Sequence, residues 1–350
     1  MELLSIFLLS LIGLLQMNDT TEVAFVGDAM QHGPQIKAAA QADGSFDYSD
    51  CFSLVESDIK SADYAVANLE CPLGGAPYRG YPVFSAPDEF AVQLQRSGFD
   101  MLLTANNHCM DCGNRGLLRT IKTLDDMGIA HVGTYADGMA RVNSLPCIVD
   151  VNGVKMAFLA YTYGTNGIVP REPVVVDMIK RDRIAEDVRN ARRTGAELVC
   201  ACLHWGNEYE SLPSHYQRST ASFLKDTGVD VIIGSHPHVV QPMELDYLAN
   251  SGTGHLLVYS LGNFISNQND LNSRGGAMVK VYVARYEDAP VILDAQRLLF
   301  FCQKPLGRED NYKLIPQNLE DSVRVDSKTA FKQFMLNAEN LFKTNNKNIR

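Results

Sequence analysis

Short apolar runs that end in polar residues recur along the chain. The runs 23–27, 64–67, 101–104, 198–203, 232–234 and 256–261 are continuous and rich in Val, Ile and Leu, with occasional aromatic residues. Such composition is typical of strands buried on both faces. Each run is followed by residue types that bind metals or transfer protons. In chain order these are Asp28; Asn68 and Glu70; Asn106, Asn107, His108 and Asp111; His204; His236 and His238; and Asn263.

Helical patterns lie between these runs. Pro87 followed by two acidic residues begins one helix, and Gly98 ends it. Residues 113–127 carry leucine and isoleucine at helical spacing up to Gly128, and residues 178–194 and 214–227 follow the same pattern. Strands that alternate with helices predict a largely parallel sheet, in which ligands bind beyond the carboxyl ends of the strands. We therefore expect all six polar clusters at that edge.

The rest of the chain predicts further strands and a helix. Asn152-Gly153 between two alternating runs indicates a β-hairpin over residues 147–161. Runs 277–283 and 291–300 are expected to be strands, and residues 327–342 an amphipathic helix. Three regions follow: a terminal segment 1–18, a main domain 19–305, and an extension 306–350 with a helix and a frayed tail.

The pair His236 and His238 is the most informative motif, because it leaves an apolar run and enters a loop broken by Gly and Pro. An isolated His-x-His pair is weak evidence for a metal site, since many histidines are simply exposed or hydrogen-bonded. Carboxylate, amide and imidazole groups that converge on one place favour a metal instead.

Each of the other candidates also has a purely structural interpretation. Asp28 suits a turn or a helix cap, and Glu70 suits a solvated loop. Asn107 suits a turn that needs left-handed backbone, and His204 suits a hydrogen-bonded position at a strand end. The sequence favours the metal interpretation because all of these residues follow the same kind of strand.

The polar clusters resemble, in order, motifs of the calcineurin-like metallophosphatase superfamily, and specifically of its CapA-type capsule-synthesis proteins associated with poly-γ-glutamate. The resemblance covers residues 22–268 and extends to the segment 81–87. It implies an α/β fold: a two-sheet sandwich flanked by helices, in four layers α/β/β/α. In this fold the predicted strands 277–283 and 291–300 would belong to the second sheet. The matching blocks are residues 27–30, 68–70, 106–111, 204–209, 234–242 and 260–264.

The resemblance also implies roles for residues of the site. His108 is expected to be the general acid, with Asp111 holding its imidazole. Oxygen and imidazole ligands without thiolate suit one or two divalent ions of Mn, Zn or Fe, and do not favour Ca. The metal ligands implied by the resemblance are Asp28, Glu70, Asn107, His204, His236 and His238.

One position departs from the superfamily pattern. The expected Asp-x-His triplet is Asp28-Ala29-Met30 here, so a thioether replaces an imidazole ligand. A site rich in carboxylates gains little from sulfur. Either His32 replaces the missing ligand, or one of the two metal positions is weak or absent. Met at this place is common in the CapA branch, so the number of metals stays open.

Composition limits the partners. The 350-residue chain has a formal net charge of −10 and a pI of about 5.3, and no cluster of Lys or Arg, which argues against nucleic-acid binding. An anionic substrate would be repelled at long range. Arg79 and Arg115 are the candidate substrate-binding residues, since guanidinium groups bind phosphate and carboxylate, although surface solvation explains them equally well.

The apolar stretch 3–15 has the length of a signal-peptide core and is short for a membrane span. We expect export to the cell envelope or periplasm. The alternative is association with the membrane through this segment. Because Glu2 stands where basic residues are usual, a mis-assigned start or a buried strand stays open. The eight cysteines do not decide the compartment; Cys109 and Cys112 have the spacing for a local disulfide.

The leading hypothesis from the resemblance is an envelope protein of poly-γ-glutamate or capsule polysaccharide biosynthesis. It would be a metal-dependent hydrolase that uses metal-activated hydroxide on a phosphoester or an anionic polymer, together with other capsule-synthesis proteins. The alternative is a non-catalytic component that binds the polymer or assists its export. A third interpretation is a cytoplasmic phosphatase.

Overall fold

The computed structural model describes residues 20–247, 254–307 and 310–350, and the predicted segment 1–18 lies outside them. The strands are β1 (Thr21–Ala29), β2 (Tyr64–Leu69), β3 (Met101–Leu103), β4 (Ala130–Val132), β5 (Thr134–Tyr135), β6 (Cys147–Val151), β7 (Val154–Thr162), β8 (Val175–Val176), β9 (Leu198–His204), β10 (Val231–Ser235), β11 (Met243–Tyr247), β12 (Gly254–Val258), β13 (Asn263–Ile265), β14 (Gly275–Tyr286), β15 (Ala289–Gln303) and β16 (Lys313–Pro316). The helices are α1 (Gly33–Ala39), α2 (Ser49–Phe52), α3 (Glu56–Lys60), α4 (Asp88–Arg96), α5 (Gly113–Met127), α6 (Gly138–Ser144), α7 (Arg181–Arg193), α8 (His215–Thr227) and α9 (Lys328–Asn345).

The elements with local sequence signals are confirmed. Helices α4, α5, α7, α8 and α9 lie where the periodicity predicts them. Gly128 ends α5 with the left-handed φ of 66° that glycine adopts without a steric penalty. The hairpin of β6 and β7 turns through Asn152 and Gly153, with φ values of 50° and 85°. These positive values match the type I′ turn that the Asn-Gly pair predicts.

The six runs that precede the polar clusters are divided between two sheets. The first sheet has the order β16-β15-β14-β1-β2-β3-β4, and the second has the order β11-β12-β10-β9-β7-β6. The expectation of a single parallel sheet is therefore corrected: β1, β2 and β3 are parallel in one sheet, while β9, β10 and β12 are parallel in the other.

The strands predicted for the second sheet belong to the first. Strand β14 pairs antiparallel with β1, with Thr21 opposite Val283 and Val26 opposite Met278, and β15 pairs with β14. The expectation for 277–283 and 291–300 was wrong because a continuous apolar run suits any doubly covered sheet and does not identify its pairing partner.

The four predicted layers are confirmed. Phe25 of the first sheet and Phe158 of the second pack in the core between the sheets, with ring centroids 6.4 Å apart. Helices α1 to α5 cover the outer face of the first sheet through residues such as Phe90. Helices α7 and α8 cover the outer face of the second sheet through Ile184 and Leu224. The molecule is an α/β/β/α sandwich.

The C-terminal residues join this core. Helix α9 buries Phe331 and Phe334 in the cluster between the sheets. The tail beyond it, expected to be frayed, is hydrogen-bonded instead. Lys347 N–H donates to Met243 O over 3.0 Å, and Leu245 N–H donates to Lys347 O over 2.8 Å. The tail is held because β11 is an edge strand whose backbone groups need partners.

Two further findings concern membrane and redox chemistry. Among the residues that the structure describes, no helix combines the length and the apolar character needed to cross a bilayer. All eight cysteines lie in the described ranges as free thiols, so the local disulfide considered for Cys109 and Cys112 is not formed.

Candidate metal centre

The predicted ligands meet at the edge where the strands of both sheets end. Strands β1, β2 and β3 bring Asp28, Glu70 and Asn107 from one sheet, while β9 and β10 bring the histidines from the other. The six ligand side chains are buried, and so is the neighbouring His108. None of these seven side chains is more than 5% exposed. The structure thus brings together all six predicted ligands, although only tertiary packing makes neighbours of the two sheets.

The ligand atoms form two overlapping groups. Asp28, Glu70 and His204 make one group, and Glu70, His236 and His238 make the other. Within each group the candidate ligand atoms all lie within 4.8 Å of one another. Glu70 belongs to both groups, so its carboxylate is shared by the two sets of candidate ligand atoms.

Asp28 is held as a carboxylate. Its Oδ1 accepts a hydrogen bond from Asn68 Nδ2 over 2.7 Å, and its Oδ2 accepts one from the backbone N–H of His236 over 3.2 Å. His238 Nδ1 lies 3.2 Å from the same Oδ2. Burial alone would raise the pKa of Asp28, but the hydrogen bond and charge of His238 hold that pKa well below its usual range.

Glu70 has the opposite environment. It is fully buried, and neither of its carboxylate oxygens has a hydrogen-bond partner in the described structure. Burial, reinforced by the neighbouring Asp28 carboxylate, raises the pKa of Glu70 well above its usual value. His236 Nδ1 is a third buried polar atom without a partner. Unpaired polar atoms at such depth are costly, and a divalent cation between them would satisfy all three.

The histidines are in the form that binds metals. Burial lowers the pKa of His204 well below its usual value and that of His236 to about 3, so both are neutral imidazoles at pH 7. His204 Nε2 lies 3.4 Å from Glu70 Oε1 and 2.8 Å from Asn107 Oδ1. The residues present therefore fit a metal centre of oxygen and imidazole ligands.

The loop that carries the two histidines has strained backbone. His236 has a φ of 96° and His238 a φ of 60°, positive values that are uncommon for any residue other than glycine. Gly234, which precedes the two histidines, packs closely against the backbone of Tyr259. A larger residue would not fit, because its Cβ would lie 2.0 Å from Tyr259 O. Such strain persists where surrounding structure enforces it, and it concentrates at functional sites.

His108 and Asp111 form the predicted pair. His108 Nδ1 lies 2.8 Å from Asp111 Oδ2, which also accepts a hydrogen bond from the backbone N–H of Phe84 over 2.7 Å. The Phe84 ring packs edge-on against the imidazole, with centroids 4.6 Å apart. With Nδ1 facing the carboxylate, the other ring nitrogen, Nε2, is left for a different partner.

The departure at Met30 has a structural explanation. Met30 is buried in the apolar cluster on the outer face of the first sheet. The suggestion that His32 replaces the missing ligand is not supported. His32 caps α1, where its backbone N–H donates to Gln35 Oε1 over 2.9 Å, and the backbone N–H of Asn267 donates to its Nδ1 over 3.3 Å. Within the described ranges it belongs to neither ligand group.

The two predicted substrate-binding arginines lie outside the ligand cluster. Both Arg79 and Arg115 are exposed. Arg79 pairs through its backbone with Ser85 and donates from Nη2 to Cys112 Sγ over 3.6 Å, next to Asp111. Their roles stay predictions.

The loop after β7 also lies at the site, although none of its residues is among those predicted from the sequence. Tyr163 packs against His236 with ring centroids 4.5 Å apart, and Asn166 contacts both Asn107 and His108. A signal was present, because the apolar run of β7 also ends in polar residues and glycines, from Thr162 to Gly167. The Asn152-Gly153 signal identifies that run only as part of a hairpin.

The sandwich with its buried ligand cluster is a metallophosphatase-like fold. The chain belongs to the family of bacterial capsule synthesis proteins PGA_cap, whose model matches residues 22–268. It is 29% identical over 288 residues to the capsule biosynthesis protein CapA of Bacillus anthracis, covering 79% of this chain and 67% of that protein. It is 28% identical over 303 residues to the PGA biosynthesis protein CapA of Bacillus subtilis (strain 168), covering 78% and 72%. The predicted family resemblance is confirmed.

A solved structure bears out the fold. The NAD nucleotidase of Haemophilus influenzae superposes with a TM-score of 0.50 and 13% sequence identity, covering 95% of this chain. The chain spans 57% of that nucleotidase. At 13% identity the similarity to the nucleotidase shows only a shared architecture. Any reaction of this chain has to be argued from its own site.

Proposed function

We propose that the protein is a metal-dependent hydrolase that serves capsule or poly-γ-glutamate synthesis by cleaving a phosphoester or a related bond. The observation that carries the proposal is Glu70, a fully buried carboxylate with two unpartnered oxygens, shared by two groups of ligand atoms. If Glu70 served packing alone, an apolar side chain at this position would make the protein more stable than a buried carboxylate does.

The ligand chemistry indicates which metals suit the site. Carboxylate, amide and neutral imidazole ligands without thiolate suit Mn, Zn or Fe. Because Glu70 is shared, we propose room for two ions. When bound, such ions supply Lewis acidity at the substrate and a strong nucleophile at neutral pH.

The protein side chains would manage the proton of the leaving group. In the protonated imidazolium form of His108, Nδ1 donates to Asp111 and Nε2 presents its hydrogen to the leaving oxygen. Asp111 is itself fixed by the Phe84 N–H, so it holds the ring at one angle. Through this arrangement a positioned acid replaces water as the proton donor.

The substrate and setting follow from the family and the surface. We propose an anionic polymer or phosphoester as substrate and other capsule-synthesis proteins as partners. Arg79 and Arg115 are both exposed, which leaves their guanidinium groups accessible to attract an anion to a chain of net charge −10. The apolar stretch 3–15 supports a location in the cell envelope.

The first test is the metal content of the chain lacking residues 1–18, measured by elemental mass spectrometry after purification without chelator. We expect one or two equivalents of Mn, Zn or Fe, lost in His236→Ala. The matched control is His215→Ala, which removes an exposed histidine of α8 and should leave the content unchanged. A wild-type chain that takes up no metal, even after incubation with all three ions, would contradict the proposal and favour the polymer-binding alternative.

The second test separates catalysis from binding. His108→Ala should retain metal but lose turnover of a phosphoester such as bis(p-nitrophenyl) phosphate, because the acid is removed while the ligands stay. If a capsule-deficient strain regains its polymer equally well with wild-type protein and with His108→Ala, the hydrolase proposal is wrong and a non-catalytic role in polymer handling or export replaces it.

A further inference from the structure

One loop contacts ligand residues from both sheets. The β7–β8 loop, residues 163–174, follows Thr162 at the end of β7. Tyr163 N–H donates to His204 O over 3.0 Å, which ties the start of the loop to the second sheet. Three residues later, Asn107 Nδ2 donates to Asn166 Oδ1 over 3.2 Å, and the amide nitrogen of Asn166 lies 3.3 Å from His108 Nδ1. Asn166 therefore reaches the first sheet.

The backbone of the loop is shaped to present Asn166. Residues 165–168 form a tight turn, closed by the N–H of Ile168 donating to Thr165 O over 2.9 Å. Asn166 and Gly167 have φ values of 49° and 76°, as in a type I′ turn. Asparagine tolerates this conformation, but the turn alone would be satisfied by glycine. The turn thus explains the backbone and leaves the side-chain contacts to be explained.

A buried ion pair holds the chain in place just after the far end of the loop. Asp177, just after β8, donates its backbone N–H to Gly133 O over 2.9 Å, and its carboxylate accepts from Arg141 Nε over 2.5 Å. Arg141 is only 6% exposed and also pairs with buried Asp187. Breaking such a pair leaves an uncompensated buried charge, so the end of the loop is firmly placed.

The contact with Asn107 solves a problem of orientation. A ligand amide must turn its oxygen to the cation, and an amide rotated by 180° has almost the same shape but presents its NH2 group instead. Asn107 Oδ1 faces His204 Nε2 at 2.8 Å in the ligand cluster. The acceptor on Asn166 gives Asn107 Nδ2 a partner on the opposite side, which selects one of the two orientations.

We propose that Asn166 is a positioning residue that orients the Asn107 amide toward the metal. The inference rests on the proposed function, because it requires a metal at Asn107. Partners that orient metal ligands in this way are worth roughly 10- to 100-fold in metal affinity. Asn166→Gly should therefore weaken Mn²⁺ binding by about tenfold, while keeping the backbone of the turn.

The test compares three variants of the chain lacking residues 1–18 by isothermal titration with Mn²⁺. Asn166→Gly removes the acceptor, and Asn166→Asp keeps an acceptor and the left-handed backbone, so its affinity should match or exceed that of wild type. The matched control is Asn114→Ala. Asn114 fastens the same loop, accepting from Arg171 N–H over 3.2 Å, but makes no contact with the ligand cluster. Its affinity should equal that of wild type.

Each outcome decides the inference. Equal Mn²⁺ affinity of Asn166→Gly and wild type would overturn it, and so would an equal loss in Asn114→Ala, which would indicate that loop order alone matters. A wild-type chain that binds none of Mn²⁺, Zn²⁺ and Fe²⁺ in the same titration would remove the proposed function and this inference together. A wild-type chain that binds Mn²⁺ but hydrolyses no ester would remove only the hydrolase, since the affinities still decide the role of Asn166.

Discussion

Replacing Glu70 by glutamine should change stability in opposite directions with and without metal. In the metal-free protein the Glu70 carboxylate is buried beside Asp28, and its two oxygens lack hydrogen-bond partners. Glu70→Gln replaces the ionisable carboxyl by a neutral group of the same shape and introduces an amide that can donate to Asp28. The metal-free variant should therefore be more stable than wild type. With metal present the order should reverse, because the shared ligand is lost.

The size of both effects can be worked out. An unpaired buried polar group costs about 1–3 kcal/mol. Unfolding entropy of about 2.1 cal/mol/K per residue gives roughly 0.7 kcal/mol/K for 350 residues, so the metal-free variant should gain ~1–4 °C in Tm. A metal at 100 times its Kd stabilises the wild type by about 2.7 kcal/mol, or ~4 °C for each site. The variant should show almost none of this increase.

The assay is differential scanning calorimetry of wild type and Glu70→Gln, first in chelator and then with Mn²⁺. Glu339→Gln is the matched control, because it makes the same substitution at an acid that is not a ligand. Glu339 lies on α9, far along the chain from the ligands, and pairs with Arg297. The response of this variant to metal should equal that of wild type. A metal-free Glu70→Gln that melts below wild type would refute the reasoning that the carboxylate is held there for a cation.

Three further outcomes are expected. Asp111→Asn should lower kcat for a phosphoester about 10- to 100-fold at unchanged metal content, because His108 loses the carboxylate that orients it; loss of metal in this variant would assign Asp111 to the ligands. His32→Ala should keep the full metal content, and a loss of one equivalent would restore His32 as a ligand. Arg141→Ala should lower the free energy of unfolding in urea by about 3–5 kcal/mol, since it leaves two buried aspartates unpaired; a change below 1 kcal/mol would contradict that account.

Much of the site could be predicted from the sequence because its signals are local. A strand that ends in a polar residue places that residue at the sheet edge, whichever strand lies beside it. Asp28, Glu70, Asn107 and His204 all follow this rule, and the structure brings them together with the histidine pair. The hairpin turn at 152–153 was equally local, since its φ values are a property of the two residues themselves.

Other features depended on which elements pack together. The sequence alone did not show that the ligands come from two sheets, that β14 pairs with β1, or that the C-terminal tail pairs with β11. Apolar runs specify burial but do not name a partner, so pairing is decided by how the whole core closes.

The sequence by itself determined which residue types stand at the strand ends, and through them the chemistry that the edge can perform. Only the tertiary structure decided where the neighbouring side chains point. It buried Met30 in the outer apolar cluster, used His32 as a helix cap, and carried Asn166 to Asn107 from a turn 59 residues away in sequence. Local chemistry is encoded by adjacent residues, whereas orientation is set by contacts between distant ones, and these exist only once both sheets have packed.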